Sequence, residues 1–506
     1  MENLLGVNLF YTCFNIKKVM VYHMNRKMIA YILGYILNVE AILLIPSLLV
    51  ALYYKEDTAF AFIISIIILF VVGSCMCFKK PSNHIIYAKE GFVIVALAWL
   101  LLSVFGALPF YISGEIPSFV DSLFESVSGF TTTGSSVLVN MEVLPKSLIF
   151  WRGFIHWIGA MGVLVFVLAI VPLAGGRSTY LMKAEIPGPT YGKLVPKVKK
   201  TAMILYGIYL FFTFIVIILL KFGGMSLYDS AIHAFSTAGT GGFAMKSNSI
   251  AHYDSAYIEM VITVFMVLCG INFNLFYLAL CGGIMQVFKS EELKWYLGII
   301  GGSILCISIN IYPLYGNIIK TLRYSSFQVS SIITTTGYAT TDYNLWPEFS
   351  KSILFVLMFI GGCAGSTAGG IKIARIIIIC KNIMHQFKSM FHPRYMNVIR
   401  YEGNPVSDNT IRETNNYFTL FIFILFGSFL IVSIDEIDFE TTLTAVVACI
   451  NNIGPGFGAV GPMGNYSEFS YLSKLVLSFN MLLGRLEIFP VMFLFAPGLW
   501  KGKKRI

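Results

Sequence analysis

The sequence predicts an all-α integral membrane fold of about ten transmembrane helices. Two N-terminal spans precede four pseudo-repeats, each a span, a short re-entrant pore helix, a filter strand and a second span, closed around a central pore. Three observations carry this. Of 506 residues, 57% are hydrophobic and 12% charged, against about 25% charged in a soluble domain. Apolar stretches of about 20 residues, enough to cross a hydrocarbon core, recur from Met28 onward with no soluble domain between them. A Thr- or Asn-rich segment ending near a glycine returns four times between paired spans.

The spans are expected at 28–54, 58–78, 91–113, 148–173, 201–221, 255–288, 296–318, 351–383, 415–434 and 471–499. The chain then divides into a lead-in at 1–27, two spans at 28–90, and repeats at 91–200, 201–295, 296–411 and 412–506. The net charge of +10 does not point to nucleic acid, because the basic residues fall in short runs between spans, the mark of cytoplasmic loops. Segment 174–200 carries Arg177, Lys183, Lys193, Lys197, Lys199 and Lys200, and segment 372–412 carries Lys372, Arg375, Lys381, Lys388, Arg394, Arg400 and Arg412. Alternate connections are acidic or mixed. An even span count with both termini inside satisfies every loop, including the tail Lys501, Lys503, Lys504 and Arg505. The lead-in shows no small-residue cleavage pattern, so no removable signal peptide is expected. Nine cysteines show neither a disulfide framework nor metal spacing.

The repeated segments are Gly129-Phe-Thr-Thr-Thr-Gly-Ser135, Ala234-Phe-Ser-Thr-Ala-Gly-Thr240, Ile332-Ile-Thr-Thr-Thr-Gly-Tyr338 and Cys449-Ile-Asn-Asn-Ile-Gly-Pro455. Their glycines Gly134, Gly239, Gly337 and Gly454 lie 105, 98 and 117 residues apart, a near-constant period that marks internal repetition. Each follows a short run of helical character, so a helix ends at an irregular strand within the membrane. Non-helical backbone survives at that depth only where it is buried in protein or lines a watery cavity. Glycine permits positive φ, so carbonyls of Thr132, Thr133 and Gly134, of Thr237, Ala238 and Gly239, of Thr335, Thr336 and Gly337, and of Asn452, Ile453 and Gly454 can replace the water shell of a cation. Four such strands in register make a selectivity filter.

These strands, with Gly361-Gly-Cys-Ala-Gly-Ser-Thr-Ala-Gly-Gly-Ile-Lys372 and Gly484-Arg-Leu-Glu-Ile-Phe-Pro490, resemble the Trk/Ktr potassium transporter superfamily from about residue 28 to 500. The two leading spans match its TrkH type. The resemblance implies K+ as the transported ion, bound at the filter residues, with selectivity when all four strands carry glycine. Relatives admitting sodium tend to have Ser at the first position. It also implies a homodimer in the inner membrane, a cytoplasmic nucleotide-binding regulatory partner of the TrkA type, and either a gated channel or a cation symporter. The fourth strand, Asn451-Asn-Ile-Gly454, departs from the hydroxyl-rich pattern, so that quadrant is expected to coordinate less symmetrically.

The span 351–383 is interrupted by five glycines, each unfavourable in a helix by roughly 1 kcal/mol, so the helix is expected to break there. The resemblance assigns Gly365, Ser366, Thr367, Ala368, Gly369 and Gly370 to a loop that shuts the pore below the filter. The alternative is a glycine face for close helix packing. Arg485 lies well inside the last span, where a charge costs about 2.5–3.5 kcal/mol; it is expected to face the pore as a barrier to cations, the alternative being a purely structural pairing with Glu487 or a carbonyl. Lys372 is read as snorkelling to the inner interface. Asp121, Glu125, Asp229 and Glu440 would put negative charge at the outer mouth and concentrate cations there, the alternative being an ordinary solvated rim, which predicts the same residues. His156 and His233 are read as core histidines.

Other signals are set aside. Gly456-Phe-Gly-Ala-Val-Gly461 spells a dinucleotide fingerprint but lacks the strand–helix context that gives it meaning, so no organic cofactor is expected on this chain. A membrane-embedded enzyme would need clustered intramembrane acids or a His/Asp metal set, and the spans hold almost no carboxylates. A sodium- or ammonium-conducting transporter of the same fold is the closer rival.

Overall fold

The computed structural model describes residues 24–81, 88–160, 162, 198–392 and 398–495. The expected basic segment at 174–197, most of the inner half of the fourth span, the lead-in up to residue 23 and the tail from residue 496 lie outside the described residues.

The described residues are helical almost throughout. The first span is α1 (Arg26–Leu43) continued by α2 (Ile45–Tyr54), and α3 (Ala59–Cys77) returns against it. The third span divides likewise into α4 (Ala88–Gly106) and α5 (Leu108–Ile112). Pro46 and Pro109 sit at the starts of α2 and α5, where the missing N–H and the ring break the hydrogen-bond ladder. Then follow α6 (Phe119–Phe130), α7 (Lys146–Ala160), α8 (Val198–Phe222), α9 (Leu227–Ala238), α10 (Ala256–Cys269), α11 (Phe273–Leu280), α12 (Ile284–Lys289), α13 (Glu291–Tyr315) and α14 (Ile318–Ile333). After α15 (Glu348–Ile360) and α16 (Ile373–Phe391), a hairpin of β1 (Arg400–Tyr401) and β2 (Asn404–Pro405) leads to α17 (Asp408–Val432), α18 (Phe439–Ile450), α19 (Tyr471–Arg485) and α20 (Phe489–Leu494).

Among the described residues six helical segments are long and apolar enough to cross a membrane, and α10 with α11, bent by 91°, make a seventh. The second spans of the third and fourth repeats are divided, at Gly361–Lys372 and at Leu486–Ile488. What hydropathy reads as a continuous span is here two shorter helices meeting at a break.

Four short helices, α6, α9, α14 and α18, re-enter between the spans. Their N-termini are capped in one pattern: Ser118, Ser226, Asn317 and Asp438 accept from backbone N–H groups two or three residues ahead, satisfying donors the helix leaves open. The bonds from Thr441 hold the Asp438 carboxyl below its usual range. Each repeat's second span then packs on the pore helix of the next. Tyr228 Oη on α9 donates to Lys146 O on α7 at 2.5 Å. Arg323 on α14 grips Glu259 on α10 with two bonds of 2.5 Å. Lys351 on α15 approaches Glu440 on α18 to 4.0 Å, and Lys474 on α19 binds Asp121 on α6 at 2.8 Å. The fourth repeat thereby returns to the first, and the ring is closed.

Of the expected acidic rim, Glu125 departs outright, while the other three lie at the repeat boundaries and helix starts. Asp121 and Glu440 face lysines across the repeat boundaries, and Asp229 sits half-buried in the first turn of α9. Glu125 is 0% exposed, where it accepts from Arg152 Nε at 2.7 Å, Ser136 Oγ at 2.5 Å and Val137 N–H at 2.7 Å. Arg152, 1% exposed, also donates to Ser128 Oγ at 2.9 Å and Ser135 O at 3.2 Å and faces His156. This pair ties the first pore helix to α7 and to the strand after the first filter glycine. His233 is a buried core histidine between Tyr338 Oη at 3.3 Å and Tyr253 Oη at 3.1 Å.

Removing one member of a buried pair leaves the other charge unpaired, a loss of about 3–5 kcal/mol. Arg152→Ala is therefore expected to lower the thermal unfolding midpoint of the detergent-solubilised protein, more than Arg323→Ala, whose side chain is 25% exposed. Equal midpoints for Arg152→Ala and the parent would show that the pair carries no such load.

Candidate functional site

Each pore helix ends in a strand with the same backbone path. In three repeats positive φ falls where the repeated segments place it: Thr132 (57°) and Gly134 (85°), Thr335 (54°) and Gly337 (86°), Asn452 (56°) and Gly454 (101°). In the second repeat it falls on Thr240 (50°) and Gly242 (62°), three residues beyond the expected position. Gly239 instead caps α9 with φ −78°, and Thr237 and Ala238 are that helix's last residues. The hydrogen bonds agree: Thr133, Gly241, Thr336 and Ile453 each donate their N–H back to Ser128, Ser236, Ser331 and Ala448 at 2.9, 2.7, 2.8 and 2.9 Å. The second strand is thus Thr240-Gly241-Gly242. Both Thr237-Ala-Gly239 and Thr240-Gly-Gly242 fit a Thr-x-Gly pattern, and backbone conformation alone separates them.

The four glycines close a second, tighter ring. A Cβ built on Gly134 would lie 2.3 Å from Gly241 O, one on Gly242 1.8 Å from Thr336 O, one on Gly337 2.1 Å from Ile453 O, and one on Gly454 2.7 Å from Thr133 O. Each strand seats its glycine against the carbonyl of the next, in chain order, with no room for a side chain. All four glycines border one cavity of about 110 Å³. Among the described residues, the carbonyls of Thr132, Thr133, Thr240, Gly241, Thr335, Thr336, Asn452 and Ile453 accept no hydrogen bond, although all eight residues are buried. Unpaired buried acceptors are costly unless a ligand supplies positive charge. The C-termini of α6, α9, α14 and α18 run directly into these strands, and each carries about half a negative charge from its peptide dipoles.

Side chains brace the ring from behind. Thr131 and Thr334 return their hydroxyls to Val127 O and Ser330 O, at 2.7 Å each, and bond Thr133 and Thr336 at 2.8 and 2.7 Å. Asn451 does the same with Nδ2 to Val447 O at 3.0 Å, and Asn452 Nδ2 reaches Thr133 Oγ1 and Met481 O, each at 2.9 Å. The expected asymmetry of the fourth strand is therefore one of side-chain chemistry; its backbone keeps the register of the others.

Directly beneath, the segment Gly361–Lys372 leaves α15 and enters α16. Its neck is closed by Ile371 N–H to Phe359 O at 3.2 Å and Lys372 N–H to Ile360 O at 3.1 Å. Its head touches the second, third and fourth repeats. Gly369 N–H donates to Thr335 Oγ1 at 2.6 Å, and a Cβ on Gly369 would lie 2.4 Å from Asn451 O. Thr367 Oγ1 bonds Cys269 O at 3.2 Å, Gly365 O accepts from Phe273 N–H at 3.1 Å, and Ser366 Oγ folds back on Cys363 O at 2.7 Å. Gly365 and Gly370 take φ of 74° and 76°.

Arg485 binds this head from below. It donates to Thr367 O at 2.9 Å, to Gly159 O at 2.9 Å and Ala160 O at 3.0 Å at the end of α7, and lies 3.4 Å from Thr132 Oγ1. Three of these partners are carbonyls, while Glu487 pairs with Arg375, at 3.1 Å from Nη1. Lys372, expected to snorkel, is 2% exposed with Nζ on Ala368 O of the loop head. The reason is its backbone: φ of 78° turns the side chain back under the loop. Sequence reasoning named Lys372, Arg375 and Glu487 without placing them here and missed Gly241 and Gly242; for Lys372 the double-glycine run ahead of it was the available signal.

Residues 58–299 and 317–502 match the TrkH family, described as cation transport protein. The Trk system potassium uptake protein TrkG of Escherichia coli (strain K12) is 34% identical over 94% of this chain and 99% of its own length. The Trk system potassium uptake protein TrkH of Halomonas elongata is 33% identical over 94% of this chain and the whole of its own. The crystal structure of the potassium transporter TrkH from Vibrio parahaemolyticus superposes with a TM-score of 0.85 at 31% identity, covering 94% of this chain and 100% of that one. With the closed ring of four strands, these likenesses establish that the chain belongs to the TrkH family of cation transport proteins.

Proposed function

We propose that this chain is the translocating subunit of a potassium uptake system, passing K+ through the ring of Thr132-Thr133-Gly134, Thr240-Gly241-Gly242, Thr335-Thr336-Gly337 and Asn452-Ile453-Gly454. The observation that carries the reading is the set of eight buried carbonyl groups without donors, held around one axis by four glycine contacts. A cation shedding its water is the ligand such a ring suits, and the four helix C-termini favour it further. The related proteins named as potassium uptake proteins support K+ as the ion. An enzyme is not favoured, since the family is one of transporters.

The segment Gly361–Lys372 is the gate. Its head lies across the path below the ring, and the cations of Arg485 and Lys372 beneath it oppose a passing K+: at 4 Å two unit charges repel by about 4 kcal/mol at an effective dielectric of 20. Opening requires the head to drop and Arg485 to release Thr367 O. The relatives' names assign those proteins to a Trk system, and we read this chain likewise as one component of several. In this reading it pairs with a second copy of itself and with a nucleotide-binding regulator of the TrkA type. It sits in lipid as a multi-pass protein of the cytoplasmic membrane, with both termini and the basic segments inside.

Three outcomes are expected in vesicles holding the purified protein. Rubidium uptake persists in a large excess of external sodium; block by sodium would move the substrate to that ion. Gly242→Ser loses at least about tenfold in rubidium-over-sodium preference, a change of about 1.4 kcal/mol, while Gly239→Ser retains most of it, and the reverse order would restore the other register. Arg485→Ala raises rubidium flux, the repulsion and the Thr367 tether both being gone; unchanged flux in a well-expressed variant would remove the barrier role.

A further inference from the structure

The gate loop is fastened on a side that the filter and Arg485 do not reach. Ala364 N–H, in the loop head, donates to Glu292 Oε1 at 2.6 Å. Glu292 is 3% exposed and belongs to the first turn of α13, on a different repeat boundary from Arg485. The same turn is held from the inner surface by Glu402, whose Oε1 accepts from Ser290 Oγ at 2.8 Å and from Glu292 N–H at 2.9 Å. Glu402 thus serves α13 as an external cap, an anion on open N–H groups at a helix start.

What aims Glu402 is the hairpin. Arg400 pairs with Pro405 and Tyr401 with Asn404, leaving Glu402 and Gly403 as a two-residue turn with φ of 50° and 75°, the arrangement of a type I′ turn. Glutamate is uncommon at such a φ and is kept there by its bonds to α13. The hairpin is also tied to α16, the helix that leaves the gate loop: Lys381 Nζ donates to Arg400 O at 2.7 Å and pairs with Glu291. Beside it opens a cavity of about 550 Å³ bordered by Asn272, Ser290, Glu292, Tyr401 and Glu402, space into which the turn can move. Hairpin, α13 start and gate head therefore form one chain of hydrogen bonds running from the inner surface to the segment below the filter.

We propose that Glu292 is the positioning residue that latches the gate loop, and that the hairpin Arg400–Pro405 sets the latch through Glu402. This rests on the reading of Gly361–Lys372 as the gate. Displacing the hairpin removes Glu402 from the start of α13, loosens the first turn and frees Ala364, so a regulatory partner need touch only the inner surface to act on the loop.

The test is rubidium flux and rubidium-over-sodium preference in vesicles holding the full chain, for Glu292→Ala, Glu292→Gln, Glu402→Gln, the Glu292→Ala/Glu402→Gln double variant and Arg485→Ala. Glu292→Ala is expected to raise flux about tenfold, the factor that about 1.4 kcal/mol of lost closed-state stabilisation carries, with preference unchanged. Glu292→Gln, which keeps an acceptor oxygen without the charge, and Glu402→Gln raise it less. The double variant does not exceed Glu292→Ala, because both act on one contact. A merely structural role would lower flux or spoil preference instead. If Arg485→Ala raises flux and neither Glu292 variant does, the latch is overturned and the gate stands; if none of them raises it, the gate reading falls as well. Effects of Glu292→Ala and Glu402→Gln that multiply in the double variant would overturn the link through the hairpin.

Discussion

The contact on which the rest of the structure depends is a glycine Cα laid against the carbonyl of the neighbouring filter strand, made four times around a closed ring. Gly134, Gly242, Gly337 and Gly454 combine positive φ with a neighbour that a Cβ would strike, so each position is fixed twice over, by conformation and by space. A strand held this way cannot slide without pushing the next, and the ring moves as one piece or not at all. The pore helices end where they do because these strands begin there, and the spans pack pairwise around the pore helices, through Glu259 and Arg323 or Asp121 and Lys474.

Within that frame the four quadrants solve one problem with different chemistry. The position before the positive-φ residue is Thr131, Gly239, Thr334 or Asn451. The two threonines and the asparagine each return a side-chain donor to the carbonyl four residues earlier, and Gly239 leaves the place to close packing against His156 O. Behind the first strand a buried Arg152–Glu125 pair does the bracing. The backbone symmetry of the ring thus tolerates wide side-chain variation, because the strands need a donor or a close packing partner behind them and not a particular residue.

Much of this was legible in the sequence. Hydropathy gave the span order, and the returning Thr/Asn–Gly segments gave the four strands, because both are local patterns of composition and period. The second strand was misplaced by three residues, since Thr237-Ala-Gly239 and Thr240-Gly-Gly242 are equivalent as letters and differ only in where the helix stops. Charges were misread more often than apolar residues. Glu125 finds Arg152 27 residues away and Arg375 finds Glu487 112 away; a carboxylate that looks like a solvated rim, or a lysine like Lys372 that looks interfacial, is assigned to water when its partner is invisible locally. The broken spans were half legible: glycine density marked the break at Gly361–Lys372, whereas the break at Leu486–Ile488 is made by Glu487 and Ile488 at φ of 62° and 54°, a conformation that composition does not announce.

That last difference bears on why, among the described residues, the break in the third repeat is the one that suits the proposed gate. The breaks at Gly270–Asn272 and Leu486–Ile488 are too short to leave their helices, and the second is clamped by the Arg375–Glu487 pair. The third break is a closed-necked loop whose head is held by separate hydrogen bonds to Thr335, to Cys269, Gly270 and Phe273, to Glu292 and to Arg485. A typical hydrogen bond contributes about 0.5–1.5 kcal/mol net, and one to a charged group about 1.5–3, so releasing two or three of them lies within reach of a conformational equilibrium. The filter ring is held by steric exclusion, which yields to no such exchange. In the proposed reading, rigidity falls where the ion is discriminated and weak, separable contacts where it is admitted, and the two meet at Gly369, whose N–H bonds Thr335 of the ring while its neighbours answer to Arg485 and Lys372.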